Sequence, residues 1–112
     1  MTFIFQPERY LLTKQIEKNS KYIKGIVLDV GAGHYSRYQK FFKYDKYIKM
    51  DINHAEHVDV VGSVDSIPLQ DESVDSVVCT QVFEHIKYPD KGASEIFRIL
   101  KALTTEIAPY AG

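Results

Sequence analysis

The stretch Ile26-Val-Leu-Asp-Val-Gly-Ala-Gly33 decides the fold of this chain. Its first five residues are apolar except for Asp29, and such a short apolar run is typical of a strand buried on both faces of a parallel sheet. Gly31 and Gly33 form a tight turn after it, because glycine adopts positive φ angles and lets a ligand approach the backbone. The stretch therefore predicts a strand that carries a glycine turn and a carboxylate to one edge of a sheet.

Apolar runs elsewhere in the chain predict three further strands. Each is short, rich in β-branched or aromatic residues, and bounded by polar or turn-forming residues. Segments with helical spacing separate them, so we expect right-handed crossovers between parallel strands. The three predicted strands are Tyr47–Ile52, Val58–Val61 and Val74–Thr80.

Helical patterns fill the intervals between these strands. Pro7 can open an N-terminal helix that Gly25 terminates, and a short helix is predicted over residues 35–43. Asp90 is expected to cap the last helix. The apolar face of that helix is predicted to consist of Ala93, Ile96, Phe97 and Leu100.

Together these elements predict one α/β domain over residues 1–112, with a Rossmann-like doubly wound parallel sheet and helices on both faces. The sheet would hold about four strands in the order 3-2-1-4. We divide the chain into an N-terminal helix (1–25), a core (26–101) and an atypical tail (102–112), in which 103–107 carries a weak strand signal. We interpret the chain as the truncated N-terminal half of a doubly wound fold. The fourth strand would then be an exposed edge, through which two copies could form a homodimer.

Composition restricts the class of protein. The chain has 112 residues, 45% hydrophobic and 26% charged, with a net charge of −1, which fits one globular domain and gives no basic surface for nucleic acid. Cys79 is the only cysteine, as is typical of a reducing compartment. The sequence shows neither a bilayer-spanning run nor the start of a signal peptide. We therefore predict a cytoplasmic protein without a membrane span.

The acidic residues around the glycine turn indicate which ligand it binds. Asp51 follows Gly31 by twenty positions and ends the second predicted strand, where a carboxylate accepts hydrogen bonds from ribose hydroxyls. A dinucleotide would also fit this layout. Ser36, however, replaces the third glycine of a dinucleotide turn, and Asp29 would repel a pyrophosphate. Electrostatics therefore favours a cationic methyl donor, with an NAD-binding oxidoreductase domain as an alternative.

Five motifs in one register resemble the class I S-adenosylmethionine-dependent methyltransferases, and specifically their type 11, ubiquinone-biosynthesis-like group. Val27–Gly33 resembles motif I, and Lys49–Asp51 resembles the acidic end of the second strand. Gly62–Val78 resembles the pattern G-D-x-x-x-L-P-F-x-D-x-S-F-D-x-V. Val82–Ile86 and Glu95–Lys101 resemble V-L-E-H-V and E-x-x-R-V-L-K. The resemblance implies S-adenosyl-L-methionine as cofactor and a small-molecule, lipid or glycan acceptor.

The resemblance also implies a role for each matching residue. Asp29, Gly31 and Gly33 would surround the methionine end of the donor, Asp51 would hold the ribose, and Ile52 would flank the adenine. At the adenine edge the family has an aspartate where this chain has Ser63, whose hydroxyl can still hydrogen-bond the adenine amino group. Asp65 could substitute for the missing aspartate after a small loop shift. The residues implied here are Ser63, Val64 and Asp65 at the adenine edge and Thr80, Gln81 and His85 beyond the fourth strand.

No catalytic residue is assigned from the sequence. His85 is a candidate general base, because histidine titrates near neutral pH, although a pocket-lining role is favoured. Cys79 is interpreted as a small buried hydrophobe, and His34, His54 and His57 as surface-loop residues without a metal site. An alternative function is a non-catalytic remnant that binds the donor weakly or serves as a dimerisation module.

Overall fold

The computed structural model describes residues 2–6, 18, 20–31, 39–80, 87–101 and 106–107. Within them, six strands form one sheet in the order β4-β3-β2-β5-β1-β6, and every strand pair is parallel. The order β4-β3-β2-β5 confirms the predicted 3-2-1-4 arrangement of the core. The strands are β1 (Thr2–Gln6), β2 (Ile26–Val30), β3 (Lys46–Asp51), β4 (Val60–Val61), β5 (Ser76–Thr80) and β6 (Glu106–Ile107).

The N-terminus begins with a strand, so the prediction of a helix over 1–25 was wrong for residues 2–6. Strand β1 pairs with β5 along its whole length, from Thr2 opposite Ser76 to Gln6 opposite Thr80. The predicted exposed edge on the fourth strand is therefore covered by the chain itself. The cause is the pairing itself: β1 satisfies backbone groups that β5 would otherwise leave unpaired, and its β-branched and aromatic residues suit a strand. Residues 7–17 lie outside the described part.

Strand β6 is the edge strand on the β1 side of the described sheet. It pairs with Thr2 and Phe3 of β1, so the weak strand signal in residues 103–107 is confirmed for 106–107. Of the short helix predicted over 35–43, the structure describes a 3-10 turn at Gln39–Phe41, with residues 35–38 outside the described part. A second 3-10 turn, Ser20–Tyr22, precedes β2.

Helix α1 (Pro89–Ile99) is the α-helix that follows β5. The predicted cap at Asp90 was wrong, because Pro89, whose φ angle suits a first turn, starts the helix two residues earlier than that cap implies and places Asp90 inside the first turn. Phe97 was also wrongly assigned to the apolar face, since it is 49% exposed. The residues that face the sheet are instead three or four positions apart, as the helical repeat requires. The buried residues of α1 are Gly92, Ile96 and Ile99.

The core lies on both faces of the sheet, as a doubly wound fold requires. Successive strand residues point to opposite faces, and Val27 and Leu28 accordingly belong to two different buried clusters. One cluster joins the sheet to α1 through Ile96 and Ile99. The other packs Ile23 and Phe42 against the opposite face. The strands are thus fixed between two apolar layers.

The amino ends of β2 and β5 are tied together by side chains. The Asp75 carboxylate accepts a hydrogen bond from the Ile26 N–H at 2.8 Å, and the Ser76 hydroxyl accepts from the Lys24 N–H at 3.1 Å and donates to its carbonyl at 3.0 Å. Gly25, at a φ of +68°, passes so close to Asp75 that a Cβ there would lie 2.7 Å from its Cγ. These contacts set the register that brings the carboxyl ends of the strands to one edge.

Candidate cofactor-binding site

The carboxyl ends of β2, β3 and β4 are joined by backbone hydrogen bonds. Gly31 has a φ of +77°, which glycine adopts readily, and its N–H donates to the Met50 carbonyl at 2.9 Å. The Gly62 N–H donates to the Asp51 carbonyl at the same distance, 2.9 Å. The turn after β2, the end of β3 and the loop after β4 therefore form one continuous rim, which is where ligands bind in open α/β sheets.

Asp29 supplies a buried carboxylate beneath this rim. It is 4% exposed, and its Oδ2 accepts a hydrogen bond from the Tyr47 hydroxyl at 2.6 Å. The Tyr47 ring is stacked against Phe42 with centroids 6.3 Å apart and tilted against Tyr44 at 5.0 Å. A charge-assisted hydrogen bond of this length is among the stronger ones in proteins. The carboxylate is thus held in a defined orientation two residues before the glycine turn.

Asp51 and Ile52 follow at the end of β3. Asp51 is partly buried, and its Oδ1 accepts a hydrogen bond from the Asn53 N–H at 3.1 Å. Ile52 is 67% exposed, so a large apolar side chain stands beside a carboxylate at the rim. Binding sites for small molecules commonly pair apolar surface with a few polar groups in this way.

The turn after β4 places Ser63 and Asp65 next to each other. The Ser63 hydroxyl donates to the Asp65 carboxylate at 2.5 Å, and the Ser66 N–H closes the turn on the Ser63 carbonyl at 3.0 Å. The two polar side chains are already in contact in this arrangement. Val64 between them is 2% exposed and belongs to the core cluster around Met50, so its side chain faces inwards rather than along the rim.

Gly62 begins this turn because the loop folds back tightly. A Cβ at this position would lie 2.7 Å from Cδ of Pro68 and 3.4 Å from Sδ of Met50. The first distance is shorter than van der Waals contact allows, and a proline ring cannot rotate away. Gly62 and Pro68 therefore pack directly against each other, and the loop has no room for a side chain at position 62.

Several residues implied at the site are placed only in part or not at all. Thr80 is the last residue of β5, opposite Gln6 in the ladder, but its side chain is outside the described part. Gly33, Gln81 and His85 also lie outside it. The roles implied for these four residues stay predictions.

Cys79, His54 and His57 lie where the sequence predicted, whereas His34 is outside the described residues. Cys79 is fully buried; burial raises the pKa of its thiol strongly, and the negative charge of Asp29 raises that pKa further. A thiol held protonated in this way is a poor nucleophile. His54 and His57 are exposed. Across the residues whose positions are described, no cluster of three or more His, Cys, Asp or Glu side chains is arranged to hold a metal ion.

Three side chains around the site have no role in the sequence interpretation. Tyr47 was treated only as the start of a strand, yet it holds Asp29. Glu95 and Arg98 were seen only as part of a motif, yet both bind the loop that follows the Ser63 turn. The i,i+3 spacing of Glu95 and Arg98 predicts an ion pair on one helix face. It does not predict that both side chains also hydrogen-bond the backbone of Ile67.

Comparison with known protein families gives one match, which covers more than half of the chain. The family model described as a methyltransferase domain matches residues 28–103. No curated protein matches the chain. In the part of the chain with described structure, every helix is too short or too polar to cross a membrane.

Solved structures share the fold. The YcgJ protein of Bacillus subtilis matches with a TM-score of 0.63 and 24% identity, over 79% of this chain and 44% of its own. A Methanococcus maripaludis protein described as an S-adenosyl-L-methionine-dependent methyltransferase matches with a TM-score of 0.62 and 20% identity, over 81% of this chain and 50% of its own. The chain therefore spans about half the length of these solved structures.

Proposed function

Because the chain belongs to the methyltransferase domain family, whose model matches residues 28–103, we propose that it binds S-adenosyl-L-methionine as the cofactor-binding half of a methyltransferase. The proposed site is the rim formed by the carboxyl ends of β2, β3 and β4. The observation that carries the proposal is the buried Asp29 carboxylate, fixed by Tyr47 and followed two residues later by the positive-φ turn at Gly31.

The charges and shapes at the rim suit this donor. Its ammonium and sulfonium groups are cationic, and a buried carboxylate such as that of Asp29 attracts them much more strongly than a solvated one would. Asp51 provides acceptors for the two ribose hydroxyls, and the exposed Ile52 provides apolar surface for the adenine ring. The same Asp29 carboxylate opposes the pyrophosphate of NAD.

The contribution of the chain to the reaction is alignment. When bound, the donor would supply an electrophilic methyl group, which passes to the acceptor as the methyl–sulfur bond breaks and S-adenosylhomocysteine is left. Asp29 and Asp51 are attached to adjacent strands of a rigid sheet, so they would hold the two ends of the donor in a fixed relation. Holding reactants in the correct geometry accounts for a large share of the rate in such reactions.

We propose a small molecule, a lipid or a glycan as the methyl acceptor, and the cytoplasm as the location. The family resemblance and the net charge of −1 support the acceptor classes, because neither favours a nucleic acid. The single cysteine supports a reducing compartment. Incubation with labelled donor and representatives of the three acceptor classes tests the first point, and the labelled acceptor identifies the class.

Titration calorimetry with S-adenosyl-L-methionine, S-adenosylhomocysteine and NAD tests donor binding. We expect the first two ligands to bind and NAD to bind at least tenfold more weakly. Asp51→Asn should weaken donor binding at least tenfold, about 1.4 kcal/mol, while Asp45→Asn, just before the opposite end of the same strand, should leave it unchanged. Tight NAD binding, or an unchanged affinity in Asp51→Asn, would refute the assignment.

A non-catalytic donor-binding module is the second candidate. The described rim residues Asp29, Asp51 and Ile52 are all assigned to the donor, so they account for donor binding and not for catalysis. The two candidates differ in turnover. Binding of the donor together with release of S-adenosylhomocysteine in the presence of an acceptor supports the enzyme, whereas binding without release across the three acceptor classes supports the module.

A further inference from the structure

Arg98 holds the loop between β4 and β5 by its backbone. Its Nη2 donates to the Ile67 carbonyl and its Nη1 to the Leu69 carbonyl, both at 2.8 Å, and Nη1 also donates to the Asp71 carboxylate at 2.7 Å. Its remaining donors go to Glu95, from Nε at 2.6 Å and from Nη2 at 3.1 Å. A guanidinium has five N–H donors, and here each one has an acceptor.

Glu95 completes this arrangement from the same helix face. Its Oε1 accepts the Ile67 N–H at 2.9 Å while both of its oxygens accept from Arg98. Ile67 therefore has its backbone N–H and C=O held by two side chains of α1. Ile67 is also 3% exposed and packs in the core cluster, so the loop is fixed by hydrogen bonds and by apolar packing at one residue.

We call these contacts the latch: Arg98 and Glu95 of α1 hydrogen-bond the backbone of Ile67 and Leu69. The latch begins one residue after the Ser63 turn. Ser66, the neighbour of Ile67, donates its N–H to the Ser63 carbonyl at 3.0 Å. Ser63 in turn donates to Asp65. The position of both polar groups at the rim consequently depends on where α1 holds Ile67.

We propose that Arg98, oriented by Glu95, is a positioning residue that sets Ser63 and Asp65 for recognition of the adenine base. The inference rests on the proposed function, since the Ser63 turn meets a ligand only if the rim binds a nucleoside-containing donor. A site built to hydrogen-bond a particular group discriminates strongly against an analogue that lacks it, provided that the site's own groups are fixed. The latch fixes them from the far side of the loop, without touching the ligand.

The test compares S-adenosylhomocysteine with S-inosylhomocysteine, which carries a carbonyl in place of the adenine amino group. Wild-type protein should prefer the adenine ligand at least tenfold in titration calorimetry. Arg98→Gln should lower that preference at least fivefold, mainly through weaker binding of the adenine ligand. Arg98→Lys should resemble Arg98→Gln, because a lysine keeps the charge but cannot donate to four separate acceptor groups in a fixed fork.

Lys101→Gln provides the matched control, since Lys101 is a nearby cation whose ion pair with Asp75 at 3.6 Å lies outside the latch. It should leave the ligand preference unchanged. Hydrogen exchange adds a readout without ligand: the Ile67 amide should exchange faster in Arg98→Gln while the Ile26 amide, held by Asp75, does not. If Arg98→Gln does not fold, Glu95→Gln gives the same comparison with a milder change.

The possible failures are distinguishable. Wild-type protein that binds neither ligand would overturn the proposed function and the inference with it. Wild-type selectivity that persists in Arg98→Gln, or an equal loss of affinity for both ligands, would overturn the inference alone and leave the donor site intact.

Discussion

The hydroxyl of Tyr47 donates a 2.6 Å hydrogen bond to the carboxylate of Asp29, although the two residues are not opposite each other in the sheet. Tyr47 is opposite Val27, two residues before Asp29. The long tyrosine side chain therefore runs along the strand direction, over the buried face that Val27 and Phe42 share. The carboxylate proposed to meet the cationic donor is thus oriented by a side chain of the neighbouring strand.

Tyr47→Phe tests this relationship. The substitution keeps the ring and its packing but removes the hydrogen bond that the Tyr47 hydroxyl donates to Oδ2 of Asp29. A hydrogen bond to a charged group contributes about 1.5–3 kcal/mol, and we expect a loss of the free energy of unfolding in that range, measured by urea denaturation. Donor affinity in titration calorimetry should fall as well.

Tyr44→Phe is the matched control for that variant. Tyr44 contacts the Tyr47 ring, but its hydroxyl accepts a hydrogen bond from Gln39 at an exposed position. Removing that hydroxyl should change stability by less than about 0.5 kcal/mol, as is usual for surface substitutions. Equal effects of the two variants would show that the hydrogen bond to Asp29 contributes no more than the exposed one from Gln39.

Much of the fold was predictable because it depends on local pattern. The run before Gly31, apolar except for Asp29, predicts a buried parallel strand, and Asp51 at the end of the next run places a second carboxylate at the same edge. Strand β1 was missed because Thr2–Gln6 forms a strand only through its ladder with β5. Nothing within those five residues encodes that partner, which lies more than seventy positions away.

The site shows the same division between local and long-range information. The glycine turn and its acidic neighbours carry their chemistry in their residue types, so the sequence was sufficient to nominate them. Tyr47 contacts Asp29, and Arg98 contacts Ile67. The members of each pair are far apart in the sequence, and only the tertiary fold brings them together. Tyrosine in a strand is also common for packing alone, so its identity did not single it out.

Cys79 should be unreactive in the native protein. The thiol is fully buried, and burial together with the Asp29 charge raises its pKa, so almost no thiolate forms near neutral pH. Titration with a disulfide reagent should modify it only after denaturant is added, and then with one equivalent because the chain has one cysteine. Rapid stoichiometric labelling without denaturant would contradict the buried position.

Gly62→Ala should destabilise the loop after β4. The added methyl group would lie 2.7 Å from Cδ of Pro68, and such overpacking costs about 1–3 kcal/mol. Pro68→Ala should relieve part of this cost, so a double-mutant cycle followed by urea denaturation should give a coupling of at least about 0.5 kcal/mol. Additive effects of the two substitutions would show that the clash is relieved by movement elsewhere.

Acid should weaken the protein partly through Glu95. The hydrogen bond from Arg98, aided by the Ile67 amide and the charges of Arg98 and Lys91, lowers the pKa of Glu95 against the opposing effect of burial. A carboxyl group with a lower pKa in the folded chain stabilises it fully above the unfolded pKa of about 4.3. That contribution shrinks as the pH falls towards the folded pKa and is lost below it.

Glu95→Gln should therefore reduce stability at pH 7 and make it less dependent on pH below about 5, as measured by urea denaturation at a series of pH values. Glutamine can still accept the Ile67 N–H with its carbonyl oxygen, but it lacks the charge that Arg98 binds. Glu56→Gln, at an exposed turn, should leave the pH profile of the wild type unchanged. If Glu95→Gln loses stability in acid as steeply as the wild type, the ion pair with Arg98 does not contribute to acid sensitivity, and other carboxylates must account for it.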